Sequence, residues 1–136
     1  MKLIMSDPKT GKSFQKEIEK SLEQSFYNKK IGETFNGELI DLQGYQFKIT
    51  GGSDVAGFPM RGDLKGPKRV KLLLTKSIGL RNTEKGYRQK KSVRGNTVSE
   101  DTAQINTIIV KTGSAKLEEL FKKEAKEEKK WIKQSF

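Results

Sequence analysis

From Lys30 onward the chain never stays long in one conformation. "KIGETFNGELI", "YQFKIT", "RVKLLLT", "QKKSVRG" and "INTIIVK" are brief β-prone runs punctuated by glycine and polar turns. Many short strands at near-regular spacing, with no helix between them, predict a small antiparallel β-barrel or sandwich. Upstream, "KLIMSD" and "SFQKEIE" flank "PKTGK", whose proline and glycine form turns, so the chain opens as a hairpin with Phe14 and Ile18 at even spacing. Between hairpin and strands, "KSLEQSFYNKK" places Leu22 and Phe26 one helical turn apart.

The last block differs in kind. "SAKLEELFKKEAKEEKKWIKQSF" has no glycine or proline and is built of strong helix formers, with Ser114 placed as an N-cap. Leu117, Leu120, Phe121, Ala125, Trp131 and Ile132 mark an apolar stripe that Glu124 and Glu128 interrupt. Its first half is expected to pack on the strands and its second half to project. The reading is a mainly β fold, a small antiparallel barrel over residues 1–112 with a C-terminal α-helix over 113–136. A chain of 136 residues suffices for one such core.

Cysteine and histidine are both absent, which removes disulfides, thiolate nucleophiles, Ser-His triads, imidazole acid-base work and the usual zinc and haem ligands. No cofactor, metal or small-molecule substrate is expected. "SDPKTGKS" ends like a phosphate-binding P-loop, but Ser6 stands where the first glycine belongs and "SFQKEIE" reads as strand, not helix. Asp41, Asp54, Asp63 and Asp101 are the carboxylates a magnesium nuclease would need, yet no spacing fixes two of them on one face, and turn or capping roles are the simpler reading.

Charge is the informative property. Lys and Arg total 28 against 17 Asp and Glu, a net charge of +11. Such a field attracts polyanions. Between Arg61 and Arg94 lie Lys65, Lys68, Arg69, Lys71, Lys76, Arg81, Lys85, Arg88, Lys90 and Lys91, opposed within that span only by Asp63 and Glu84. In "YRQKKSVRG", strand alternation puts Arg88, Lys90 and Arg94 on one face. Alternate residues stand about 7 Å apart along a strand, close to the spacing of backbone phosphates. A membrane surface is the rival partner, but the C-terminal helix carries mixed charge and the excess lies on the strands. No stretch approaches the ~20 apolar residues of a spanning helix, and "MKLIMSDPK" is too short in its apolar part for a signal peptide, so a cytoplasmic protein is expected.

"GGSDVAGFPMRGD", from Gly51 to Asp63, concentrates glycines before the basic tract. A loop of this kind serves either a bound phosphate or the protein's own core. Together with "GYRQKKSVRGNTVSEDTAQIN" and "KKIGETFNGELIDLQGYQFKIT", it resembles the eukaryotic and archaeal small-subunit ribosomal protein six family, unrelated to the bacterial protein of that number. The resemblance runs from the start through about Thr112. It implies a non-catalytic β-barrel with a C-terminal helix, bound to small-subunit ribosomal RNA and neighbouring ribosomal proteins.

On that resemblance Gly51, Gly52, Asp54, Gly57, Phe58, Pro59 and Met60 form a structural corner. Arg61, Lys65, Lys68, Arg69, Lys71, Arg81, Arg88, Lys90, Lys91 and Arg94 are the expected RNA contacts. The second motif further matches at Gly86, Ser92, Val93, Gly95, Asp101, Gln104, Ile105 and Asn106. In the corner, Gly51, Gly52 and Gly57 are expected to supply backbone freedom, Asp54 to cap exposed amides, and Phe58 and Met60 to anchor the loop. The family usually has a further basic residue at Gln89 and a proline at Gln43. Eukaryotic members also extend into a basic, serine-ended tail modified by kinases; this chain stops at "KKWIKQSF", as archaeal forms do, so that regulation is not transferred to Ser135. A free-standing barrel of the OB kind, which needs stacking aromatics on its basic strands, and a magnesium nuclease remain as alternatives.

Overall fold

The structure, a computed structural model, describes residues 1–40, 42–82, 84–113 and 117–134. Asp41, Ser114 and Ser135 lie outside the described residues, as do the side chains of Leu120, Glu124, Ala125 and Glu128 in the predicted stripe. The elements in order are β1 (Lys2–Ser6), β2 (Ser13–Glu17), α1 (Lys20–Glu23), β3 (Thr34–Asn36), a 3-10 turn (Gly37–Ile40), β4 (Gln46–Asp54), β5 (Arg69–Leu74), β6 (Gln89–Arg94), β7 (Thr102–Lys111) and α2 (Leu117–Gln134).

Five strands make one sheet in the order β2-β1-β7-β4-β3, and β5 and β6 form a separate two-stranded ribbon, from which Arg94 bridges Met60 of the corner. The mainly β architecture with a C-terminal helix is as read from the sequence. Two details are corrected. β1 runs parallel to β7, while every other strand pair is antiparallel. The sheets do not close into a barrel among the described residues: β3 is only 3 residues long before its 3-10 turn, and β2 shows solvent a row of polar and charged side chains, a common way to blunt an edge.

One face of the five-stranded sheet is apolar in consistent register. Leu3 stands beside Ile105 and Met5 beside Thr107, Phe47 opposes Ile109, Ile49 opposes Thr107, and Phe35 opposes Phe47. Phe26, Ile40, Leu42 and Tyr45 cover that face, each 5% exposed or less. Burying such side chains contributes about 1.5–3 kcal/mol apiece. Phe35 meets Phe26 edge-on and stacks on Phe47, with centroids 5.2 and 5.5 Å apart. The segment predicted to carry Leu22 and Phe26 on one turn divides instead: α1 leaves Leu22 38% exposed, and the turns after it deliver Phe26 to the core.

α2 is held at its start. Leu117 is buried, Phe121 stacks on Phe14 at 5.1 Å and Lys12 pairs with Glu118 at 2.8 Å. Trp131 and Ile132 near its end are 76% and 58% exposed, so the second half of the helix projects as the sequence predicted. β2, the would-be P-loop helix, is a strand.

Candidate nucleic-acid interface

The β5–β6 ribbon has a core of its own, made by Leu74, Leu80 and Val93 with Leu64, Leu72 and Tyr87 packed around them. Val70, Leu72 and Leu74 oppose Val93, Lys91 and Gln89, and directly opposed residues share a face. The other face therefore carries Arg69, Lys71 and Leu73 across from Arg94, Ser92 and Lys90. It looks to solvent: Arg69, Lys71, Leu73 and Lys90 are exposed, as are Lys65, Lys68, Arg81, Arg88 and Lys91 around it. Among the described residues Lys65, Lys68, Lys71, Arg81, Arg88, Lys90 and Lys91 form no ion pair.

The ribbon is joined to the sheet by a polar knot. β4 opposes β7 with a shift of register between Ile49 and Gly51, and Thr50 Oγ1 donates to the Asn106 carbonyl there at 3.1 Å. Irregularities of this kind bend a strand and re-aim its end. At Gly52 a β-carbon would meet the Gln104 carbonyl oxygen head-on, and Met60 Sδ at 3.1 Å, so no larger residue fits. The end of β4 then places Asp54 beneath the ribbon, 3% exposed.

Asp54 Oδ1 accepts from the amides of Ala56 (3.0 Å) and Phe58 (2.9 Å), closing the corner in which Gly57 has φ +88°. Its Oδ2 accepts from Arg69 Nε (3.1 Å) and Nη2 (2.9 Å), and Arg94 Nη1 lies 3.6 Å away. Burial pushes this carboxyl up, but the Phe58 amide, Arg69 and the Ala56 amide outweigh it and hold it below its ordinary value near 3.8. Arg94 Nη2 also donates to Ser99 Oγ and Asp101 Oδ2, both at 3.0 Å. Its backbone is pinned as well, its amide donating to the Pro59 carbonyl and its carbonyl accepting from the Arg61 amide.

Three expected RNA contacts thus have internal partners. Arg94 is 7% exposed and welds ribbon to corner; it does not extend the exposed face with Arg88 and Lys90. Alternation gave it the right face, but the acids waiting there come from the end of β4 and from the loop that follows β6. Arg61 is turned inward too: Nε and Nη2 form a bidentate pair with Asp63 (2.8 and 2.7 Å), and Nη1 donates to Ser77 Oγ (2.8 Å) and the Ile78 carbonyl (3.1 Å). Arg61 holds the Asp63 carboxyl below its usual range. Arg69 is shared, since its guanidinium lies 4.7 Å over the Phe58 ring and on Asp54 yet its side chain keeps 39% exposure. Met60 is buried in the sheet core, whereas Phe58 is half-buried beneath Arg69.

Of the carboxylates named for a magnesium site, the three that are described do not converge on one. Asp54, Asp63 and Asp101 each face an arginine, and no three acidic side chains converge among the described residues. The stacking platform of an OB-type binder is missing from the ribbon as well. Tyr87 is half-buried against the ribbon core with its hydroxyl 2.9 Å from Gln89 Oε1, and the exposed face carries Leu73 in place of an aromatic ring. Among the described residues no helix is long and apolar enough to cross a membrane.

Comparison with known proteins gives a consistent result. The sequence profile described as Ribosomal protein S6e matches residues 1–122. The small ribosomal subunit protein eS6 of Archaeoglobus fulgidus is 48% identical over 122 residues, covering 89% of this chain and 95% of that protein. The eS6 proteins of Nanoarchaeum equitans (46% over 121 residues, 89% of each chain) and Methanocaldococcus jannaschii (43% over 119 residues, 88% of each) are similar over a comparable length.

Proposed function

The chain belongs to the ribosomal protein S6e family, and from that premise we propose that it is a structural, non-catalytic constituent of the small ribosomal subunit that grips ribosomal RNA through the β5–β6 ribbon. The carrying observation is the exposed ribbon face, where Lys71 and Lys90 project without acidic partners beside Lys68, Arg69 and Arg88. Side chains about 7 Å apart along a strand match successive phosphates, and cations without internal partners are free to release counterions from RNA. The lack of stacking rings on this face favours backbone contacts over base reading.

The five-stranded sheet serves this grip as a rigid mount, and Arg61, Asp54 and Arg94 fix the ribbon to it. A protein with this role works in translation, in the cytoplasm, among other ribosomal proteins. The exposed second half of α2 is available to those neighbours. With about six to ten phosphate contacts, affinity for isolated small-subunit RNA falls roughly 10³ to 10⁵-fold between 50 and 200 mM salt.

The test is sedimentation of a cell lysate through a sucrose gradient at moderately high salt. Co-migration with the small subunit that RNase abolishes supports the assignment. Recovery only in the free fraction refutes it.

A further inference from the structure

Beside the ribbon lies a groove of about 480 Å³, bordered by Gly57 and Pro59 of the corner, the turn at Ser77–Gly79, and the cations Arg81 and Lys91. Its size falls in the range of roughly 300–1,000 Å³ typical of small-ligand sites. One wall is fixed before any ligand arrives. Ser77 and Leu80 exchange backbone hydrogen bonds across a four-residue turn whose third residue, Gly79, has φ +100°, a position that type II turns reserve for glycine. A β-carbon on Gly79 would also strike Val93 Cγ1 at 2.9 Å, so the turn sits tight on the ribbon core.

Arg61 locks the same turn from below through Ser77 Oγ and the Ile78 carbonyl, and Ser77 Oγ in turn donates to the Thr75 carbonyl at 3.1 Å. The consequence is an isoleucine held at the tip of a rigid turn, 58% exposed. An apolar side chain kept in water by so many polar bonds has no folding role at its tip. Arg81 and Lys91, which border the same groove, have no ion-pair partner among the described residues. The opening thus combines cations with an apolar ledge at Ile78 and Pro59.

The geometry points to this groove as a subsite for one nucleotide of RNA, its phosphate held by Arg81 and Lys91 and its base or ribose laid against Ile78 and Pro59. The ligand class rests on the RNA-binding reading, but the groove is separate from the outward face of Lys71 and Lys90. It also gives Arg61 its role: Arg61 is a positioning residue for the Ser77–Gly79 wall, not a phosphate ligand.

The test titrates adenosine 5′-monophosphate into the ¹⁵N-labelled full-length chain, with inorganic phosphate as the comparison, and measures small-subunit RNA affinity in parallel. The expected result is amide shifts with the nucleotide at Gly57, Ser77, Ile78, Gly79 and Arg81, with phosphate moving only Arg81 and Lys91. The Arg81→Gln/Lys91→Gln double variant loses the nucleotide shifts and lowers the salt slope of RNA binding by about two, at about one per phosphate contact. Lys71→Gln/Lys90→Gln lowers that slope similarly but keeps the nucleotide shifts. RNA binding with groove amides that the nucleotide leaves unmoved, or moves equally in Arg81→Gln/Lys91→Gln, overturns the subsite and leaves the ribbon reading intact. Nucleotide shifts at the groove without RNA affinity keep the subsite and overturn the ribbon reading.

Discussion

The five-stranded sheet and the β5–β6 ribbon are written in the same alternating code but held together by different physics. Among the described residues the sheet buries fifteen in one cluster, with Phe26, Phe35, Tyr45 and Phe47 in contact. The ribbon buries three, and its attachment runs through Asp54, Arg69, Arg94 and Asp101. A two-stranded ribbon is marginal alone in water, so this one owes its order to the mount. That division leaves its outward face free to carry charge that a core-building strand has no room for.

The contrast breaks most visibly in the core. Phe47→Ala in the sheet is expected to cost about 3–5 kcal/mol of unfolding free energy, and Leu74→Ala in the ribbon about 2 kcal/mol, at the low end for its class, because a three-residue cluster relaxes more easily. Denaturant unfolding of both variants checks the difference, and equal losses contradict it.

At the junction, Arg94→Ala leaves Asp54 to Arg69 alone and is expected to cost about 2 kcal/mol, below the 3–5 of a fully isolated buried charge because Arg69 remains. It should also weaken RNA binding, although Arg94 itself is buried, by letting the ribbon swing. Normal RNA affinity in a destabilised Arg94→Ala protein would separate the ribbon's order from its grip.

Acid provides a milder probe of the same knot. The folded-state pKa of Asp54 lies below its unfolded value, so its contribution is present above the ordinary carboxylate range near 3.8 and fades as pH falls through and below it. Asp54→Asn is expected to flatten the loss of stability below about pH 4 relative to the wild type; parallel acid curves contradict the pairing. The smallest stability effect belongs to Lys71→Gln/Lys90→Gln, within about 0.5 kcal/mol in thermal unfolding. The same pair lowers the salt slope of RNA binding by about two.

Much of this was legible in the residues. Glycine punctuation and alternation located most strands, and the helix block announced α2. Alternation in "YRQKKSVRG" put Lys90 on the outward face, while Arg94, read onto the same face, is buried. Alternation says which way a side chain points, not which strand lies beside it. The parallel pairing of β1 with β7 and the open sheet therefore had no local signature. Nor does charge sign tell a solvent-facing arginine from one that meets an acid: Arg94 takes Asp101 from the loop just after β6 and Asp54 from the end of β4, forty residues upstream. Asp63, two residues from Arg61, was the one partner that sequence proximity offered, and it marks Arg61 as internally paired.

The most direct measurement is lysine acetylation footprinting of the free protein and of the intact small subunit, before and after RNase. Strong protection of Lys68, Lys71 and Lys90 in the subunit, reversed by RNase, is the expected result, with Lys2 and Lys9 on the β1–β2 hairpin remaining comparatively reactive. Ribbon lysines as reactive in the subunit as in the free chain contradict the assignment of RNA binding to the ribbon.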